Sequence, residues 1–280
     1  MSKLKFCVGN LAKKPYYISQ ARLRIYSMEE LCYFLCEYAG LLDESLMDDN
    51  LIAWIDTQCG MSELSKQLYQ YAHFNRAVHT FAYAILSAVA YRPETEIRAI
   101  CQRIEVYETL DTWQRKKTQA DQFFKNKQYM VALEGYQRIL LERGEKEPLS
   151  DALRADIYHN MGCALAALFY YKQAAALFHE AYLLKGYTTD LVDECACMKF
   201  ALTEKEFESW LEAEQIDARV QGELTKLFVS AKQLFEQTTV HEEFLQADNL
   251  IEAGKRELYQ EQVDDMIRQI MEAYQGYTNF

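Results

Sequence analysis

The sequence predicts an all-α fold, and three observations carry that prediction. Gly and Pro, the residues that interrupt helices, number only 10 and 3 in 280 positions. The chain is rich in Leu, Ala, Glu, Gln and Lys, which lose little freedom in a helix. From Leu31 onward, apolar residues recur at three- and four-residue spacing, the period of one helix face. The 20 Tyr fit the same picture, because a ring can pack on a half-buried face and leave its hydroxyl in water.

Taken in order, residues 4–25 are the least helical part. Phe6-Cys7-Val8-Gly9 and Leu23-Arg24-Ile25-Tyr26 read as short extended pieces of an N-terminal cap. Ser27-Met-Glu-Glu30 is a capping-box signature ahead of Leu31, Phe34, Leu35 and Tyr38. Asn50 is expected to cap a short helix that carries Leu51, Trp54 and Ile55 and closes at Gly60. Ser62 is expected to cap the next, with Leu64 and Leu68 inward. Residues 76–91 form the most apolar helix, predicted to occupy the centre of an N-terminal bundle. Pro93 suits the first turn of a helix that passes Ile97, Ile100 and Ile104 and is expected to run on toward Trp113.

The most legible stretch lies further on. It contains Tyr158-x2-Met161-Gly162-x2-Leu165, then Ala174-x3-Phe178, then Ala181, with Gly186 as a helix end. Ala120, Phe123, Tyr129, Ala132, Tyr136 and Ile139 repeat the pattern upstream. This spacing resembles the tetratricopeptide repeat, a pair of antiparallel helices with small residues where they cross. The two copies start about 42 residues apart, against 34 for the motif, and the polar Gly144–Pro148 stretch accounts for the surplus. The resemblance implies an α-solenoid of helical hairpins over residues 111–215, with repeats at 113–146 and 155–188 and a partial one at 189–215. A helical domain at 1–110 precedes it and acidic helices at 216–280 close it, since such arrays need a polar capping helix. Thr203-Glu-Lys-Glu206 is a second capping box in that partial repeat.

Charge narrows the partners. The net charge is −12, and the last eighty residues hold 17 acids against 7 bases. Such a chain repels phosphate backbones, and the short runs Lys13-Lys14 and Arg115-Lys116-Lys117 make no basic patch, so nucleic acid is not an expected partner. A faint helix-turn-helix likeness at Ser62–Leu68 fails for the same reason, because the helix after it is apolar. The absence of an apolar run of about 18 residues predicts no membrane span. Eight Cys without a secretory leader predict a cytoplasmic protein with reduced thiols.

Catalytic and cofactor patterns are missing. Cys32-x3-Cys36 and Cys195-x-Cys197 have no second half at zinc spacing, the five His form no ligand pattern, and no glycine-rich phosphate loop occurs. No metal and no cofactor are therefore expected. His159 and Cys163 share a helix face at i and i+4, but a nucleophile also needs an oriented base and an oxyanion hole, which nothing in the sequence marks.

The repeat resemblance points instead to a concave groove lined by the first helix of each repeat. Carried over position by position, it implies Gln114, Lys117 and Asp121 from the first copy and Asp156, His159, Asn160 and Cys163 from the second. The partial third adds Asp190, Asp193 and Glu194. One subfamily clamps a carboxylate terminus with Lys and Asn from the first two repeats and Lys and Arg from the third. Lys117 and Asn160 match that pattern, whereas Asp121, Asp190 and Glu194 depart from it and suit a ligand with basic or neutral groups. The expected function is a non-catalytic adaptor for a protein or peptide. Two alternatives differ in class: a peptide-sensing regulator that relays binding through the N-terminal domain, and an enzyme with a polar pocket near Tyr16, Arg24 and His73. Residues 216–237, as one long amphipathic helix, also allow self-association.

Overall fold

The computed structural model describes residues 8–75, 77–142 and 148–278. It is all-helical at 77% helix, apart from one two-stranded sheet. The chain divides into two compact units, Met1–Gln122 and Phe123–Phe280.

The first unit opens with β1 (Tyr16–Ile18) and β2 (Leu23–Ile25), antiparallel with Tyr17 opposite Arg24. The partner of the Leu23 strand is thus the Tyr16 segment. Of the expected piece at 6–9, Phe6 and Cys7 lie outside the described residues, and Val8 N–H donates to Glu29 Oε1 at 2.6 Å. Two polar contacts tie the sheet down. Tyr16 donates its hydroxyl to Asp48 at 2.9 Å, and Trp54 Nε1 donates to the Lys14 carbonyl at 2.8 Å. Burial and the Asp48 carboxylate push the Tyr16 phenol upward.

Five helices follow: α1 (Met28–Glu37), α2 (Asp49–Thr57), α3 (Ser62–Gln70), α4 (Val78–Val89) and α5 (Glu94–Glu108). Their inward residues are the expected ones. Leu31, Phe34 and Leu35, Leu51 and Ile55, Leu68, and Phe81, Ile85 and Leu86 are all fully buried. Helix α4 packs against α1, α3 and α5, the central position its apolar sequence predicts.

The helix ends depart from the sequence reading at Ser27, Asn50, Ser62 and Trp113. Ser27 accepts from Glu30 N–H, but the Glu30 carboxylate reaches back to Tyr26 N–H, one residue beyond the box. Asp48, not Asn50, caps α2, and Ser62 starts α3 without capping it, donating its hydroxyl to Asp56. No side chain of its own caps α4; Glu108, far away in sequence, accepts from Val78 N–H at 2.7 Å and pairs with His79 at 2.6 Å. Finally, α5 stops at Glu108 and does not reach Trp113. The new helix α6 (Thr112–Lys125) begins where Asp111 accepts from Gln114 N–H at 2.9 Å.

The second unit begins in the last turn of α6 and contains α7 (Tyr129–Leu141), α8 (Asp151–Ala167), α9 (Tyr171–Lys185), α10 (Thr188–Ala201), α11 (Glu204–Ala213), α12 (Ala218–Phe235), α13 (Thr239–Glu252) and α14 (Arg256–Thr278). Most of the expected Gly144–Pro148 insertion lies outside the described residues. Packing is sequential: α7 on α8, α8 on α9, α9 on α10. The closest approach is at Gly162, where an added Cβ would sit 2.9 Å from the Phe178 ring, so only Gly lets α8 and α9 approach so closely. Ala174, Ala175 and Phe178 are buried beside it. Helix α9 closes on Gly186 at φ +66°, as its sequence predicts. The Thr203 box is complete, with both reciprocal bonds made.

Candidate functional site

Helices α8, α10 and α12 carry the polar groups that converge in the second unit. From α8, one turn of helix presents His159 and Cys163 together. From α10, Asp190 meets them: His159 Nδ1 lies 2.7 Å from Asp190 Oδ1, and His159 Nε2 lies 3.6 Å from Cys163 Sγ. A carboxylate only accepts, so Nδ1 carries the proton and, in the neutral ring, Nε2 accepts from the S–H. Asn160 Nδ2 donates to the Tyr136 hydroxyl of α7 at 3.3 Å.

One turn along α10, Glu194 accepts from His179 Nδ1 of α9 at 3.1 Å. Asp190 and Glu194 are therefore buried, at 4% and 8% exposure, and each holds a histidine of the neighbouring hairpin. Burial raises the Glu194 carboxyl against the opposing pull of His179. These acids fasten α10 to α8 and α9 and are covered from solvent.

The Cys163, His159 and Asp190 order imitates a nucleophile with its base and orienting acid. The chemistry of the thiol points the other way. Burial, with Asp193 nearby, pushes Cys163 up to about 12, whereas an attacking thiolate needs a lowered value. Its role in the fold is packing, within the Ala174 and Phe178 cluster.

Asp193 is placed differently. It is half-buried, and no hydrogen bond or ion pair reaches its carboxylate among the described residues. Desolvation raises its carboxyl, His159 lowers it and Asp190 raises it. It faces a hollow of about 430 Å³ between α10 and α12, lined also by Thr188, Val192, Arg219, Glu223 and Lys226. The three α12 charges are solvent-exposed, at spacings of four and three residues, so they share one helix face. That spacing was open to view in the sequence, but reading this region only as a capping helix passed over it.

No family model, curated protein or solved structure matches the chain.

The remaining expected groove residues fall into two groups. Gln114, Lys117 and Asp121 lie on α6 in the first unit, where Lys117 Nζ pairs with Asp121 at 2.7 Å. Asp156 is exposed on α8 but turned to Lys185 of α9. In the first unit, Tyr16 holds Asp48, His73 holds Asp49 at 2.9 Å, and Arg24 is exposed on the sheet. A hollow of about 200 Å³ in that unit is lined by Leu42, Asp43, Glu108 and Arg115, among others. Among the described residues no helix is long and apolar enough to cross a membrane, no disulfide forms, and no group of three His, Cys, Asp or Glu is disposed to hold a metal ion.

Proposed function

We propose that this chain is a non-catalytic adaptor whose second unit binds a peptide segment along α10 and α12, as a tetratricopeptide-like array would. The hollow of about 430 Å³ carries this reading, because it puts a half-buried carboxylate without a partner beside exposed charges of both signs. Its volume falls in the range of about 300–1,000 Å³ typical of ligand sites. Asp193 suits a lysine or arginine of the bound segment, and Arg219 and Lys226 suit carboxylates flanking it. The close α8–α9 crossing at Gly162 supports a hairpin array, and the raised Cys163 thiol supports binding over catalysis.

The test is selection of random peptides on the full chain, then affinity measurement against charge-reversed variants. Asp193→Lys should weaken selected peptides about tenfold or more, the loss of one close charge pair. Glu180→Lys, on the exposed side of α9, should leave them unchanged. Equal binding to the Asp193→Lys chain overturns the proposal.

A further inference from the structure

We propose that the antiparallel pair α13–α14 is a separate docking surface for a basic amphipathic helix of a partner protein. Only Ala247 of α13 and Met266 of α14 are buried, although both helices carry an apolar stripe. Leu245, Ile251, Leu258, Ile267 and Ile270 stand about half exposed. Apart from where α14 meets α7, the two helices cover only the seam between them, so part of their apolar surface stays in solvent.

The groove between the pair sets the partner's chemistry. A hollow of about 400 Å³ has Leu250, Leu258 and Met266 among its lining, with Glu243, Glu261 and Asp265 around them and no basic residue. Glu243 and Glu261 side chains have no partner among the described residues, and Asp265 pairs with Arg268 at 3.1 Å. Across residues 239–278 there are nine acids against three bases. An apolar floor with an acidic rim matches a helix with leucine-like residues on one face and Lys or Arg on its flanks. A second copy of this chain would bring the same acids together. Anionic lipid and nucleic acid would meet like charge.

The probe is an 18-residue peptide of Leu and Lys in amphipathic helical order, titrated into the full chain by fluorescence anisotropy. Its controls are the same residues in scrambled order and the same order with Glu replacing Lys. The Lys helix should bind one to one, while both controls should bind at least about tenfold more weakly. Salt of about 1 M, with a screening length near 3 Å, should weaken it further. Glu243→Lys with Glu261→Lys, and separately Ile270→Ser, should each reduce affinity about tenfold, with helix content unchanged because Glu261 and Ile270 are exposed and Glu243 is only half-buried. Asp193→Lys should leave it intact, which separates this surface from the α10–α12 hollow. Equal binding by either control, or no loss in the charge-reversed chain, overturns the proposal. So does sedimentation showing a dimer that Ile270→Ser converts to monomer, since a second copy would then cover the face.

Discussion

The bundle of the first unit and the last two helices of the second use similar residues to opposite ends. The largest fully buried side chains, among them Phe34, Phe81, Leu31, Ile55 and Ile85, lie in the first unit, with Tyr136 the exception. In α13 and α14, residues of the same kinds stand half in solvent. The C-terminal pair is the more charged of the two, and fewer helices meet at its faces. α4 is packed against three others, whereas α13 and α14 chiefly have each other. The difference teaches that the first region covers its own hydrophobic pattern and the second leaves part of it in solvent.

A matched pair of substitutions breaks or confirms this contrast most directly. Ile85→Ala empties a fully buried site in α4 and should cost about 2–5 kcal/mol in chemical denaturation. Ile270→Ala, the same chemistry at 57% exposure, should cost less than about 0.5 kcal/mol. Similar losses at both sites would mean that the C-terminal pair is as well covered as the bundle.

A smaller effect is expected where α8 crosses α9. Gly162→Ala forces its new methyl against the buried Phe178 ring, and the overpacking, about 1–3 kcal/mol, should outweigh the gain of about 1 kcal/mol in helix propensity. Adding Phe178→Leu should recover part of the loss, giving a favourable coupling in a double-mutant cycle. Strict additivity would show that the two helices do not meet there.

The smallest effect is a slope. Asp193 has its carboxyl raised in the fold, so the folded chain holds this proton at a pH where the unfolded chain has released it. Its contribution therefore turns unfavourable as pH rises from the ordinary carboxylate range upward. Asp193→Asn should gain stability relative to the parent chain across that window and match it below. Parallel denaturation midpoints at every pH would remove the idea of an unpaired, desolvated acid facing the hollow.

Much of the helical order was legible in the sequence where local chemistry decides it. Thr203 and Glu206 close their box within one turn, and Gly186 ends α9 through its own backbone freedom. Failures occur where the deciding group is distant or the signal is shared. The stop at Glu108 has no Gly or Pro to announce it, and Glu108 leaves its own helix to cap α4. Asp48 and Asn50 are both good caps, and only the backbone turn chooses between them. For the site, Asp190 and Glu194 look like solvated helix surface until His159 and His179 are placed beside them from α8 and α9. Asp193, three residues after Asp190, turns toward α12 and the hollow.

The cysteines give the chain an internal clock. Cys32, Cys36, Cys59 and Cys101 are buried in the first unit, and Cys195 and Cys197 in the second, with Cys163 half-buried. Burial holds Cys59, Cys101 and Cys197 near 11, and Cys163 and Cys195 near 12. At these described sulfurs, an alkylating reagent at neutral pH meets shielded thiol until the surrounding helices part. Mapping which sulfur is tagged first would time the opening of each unit on its own, with no label added to the protein beforehand.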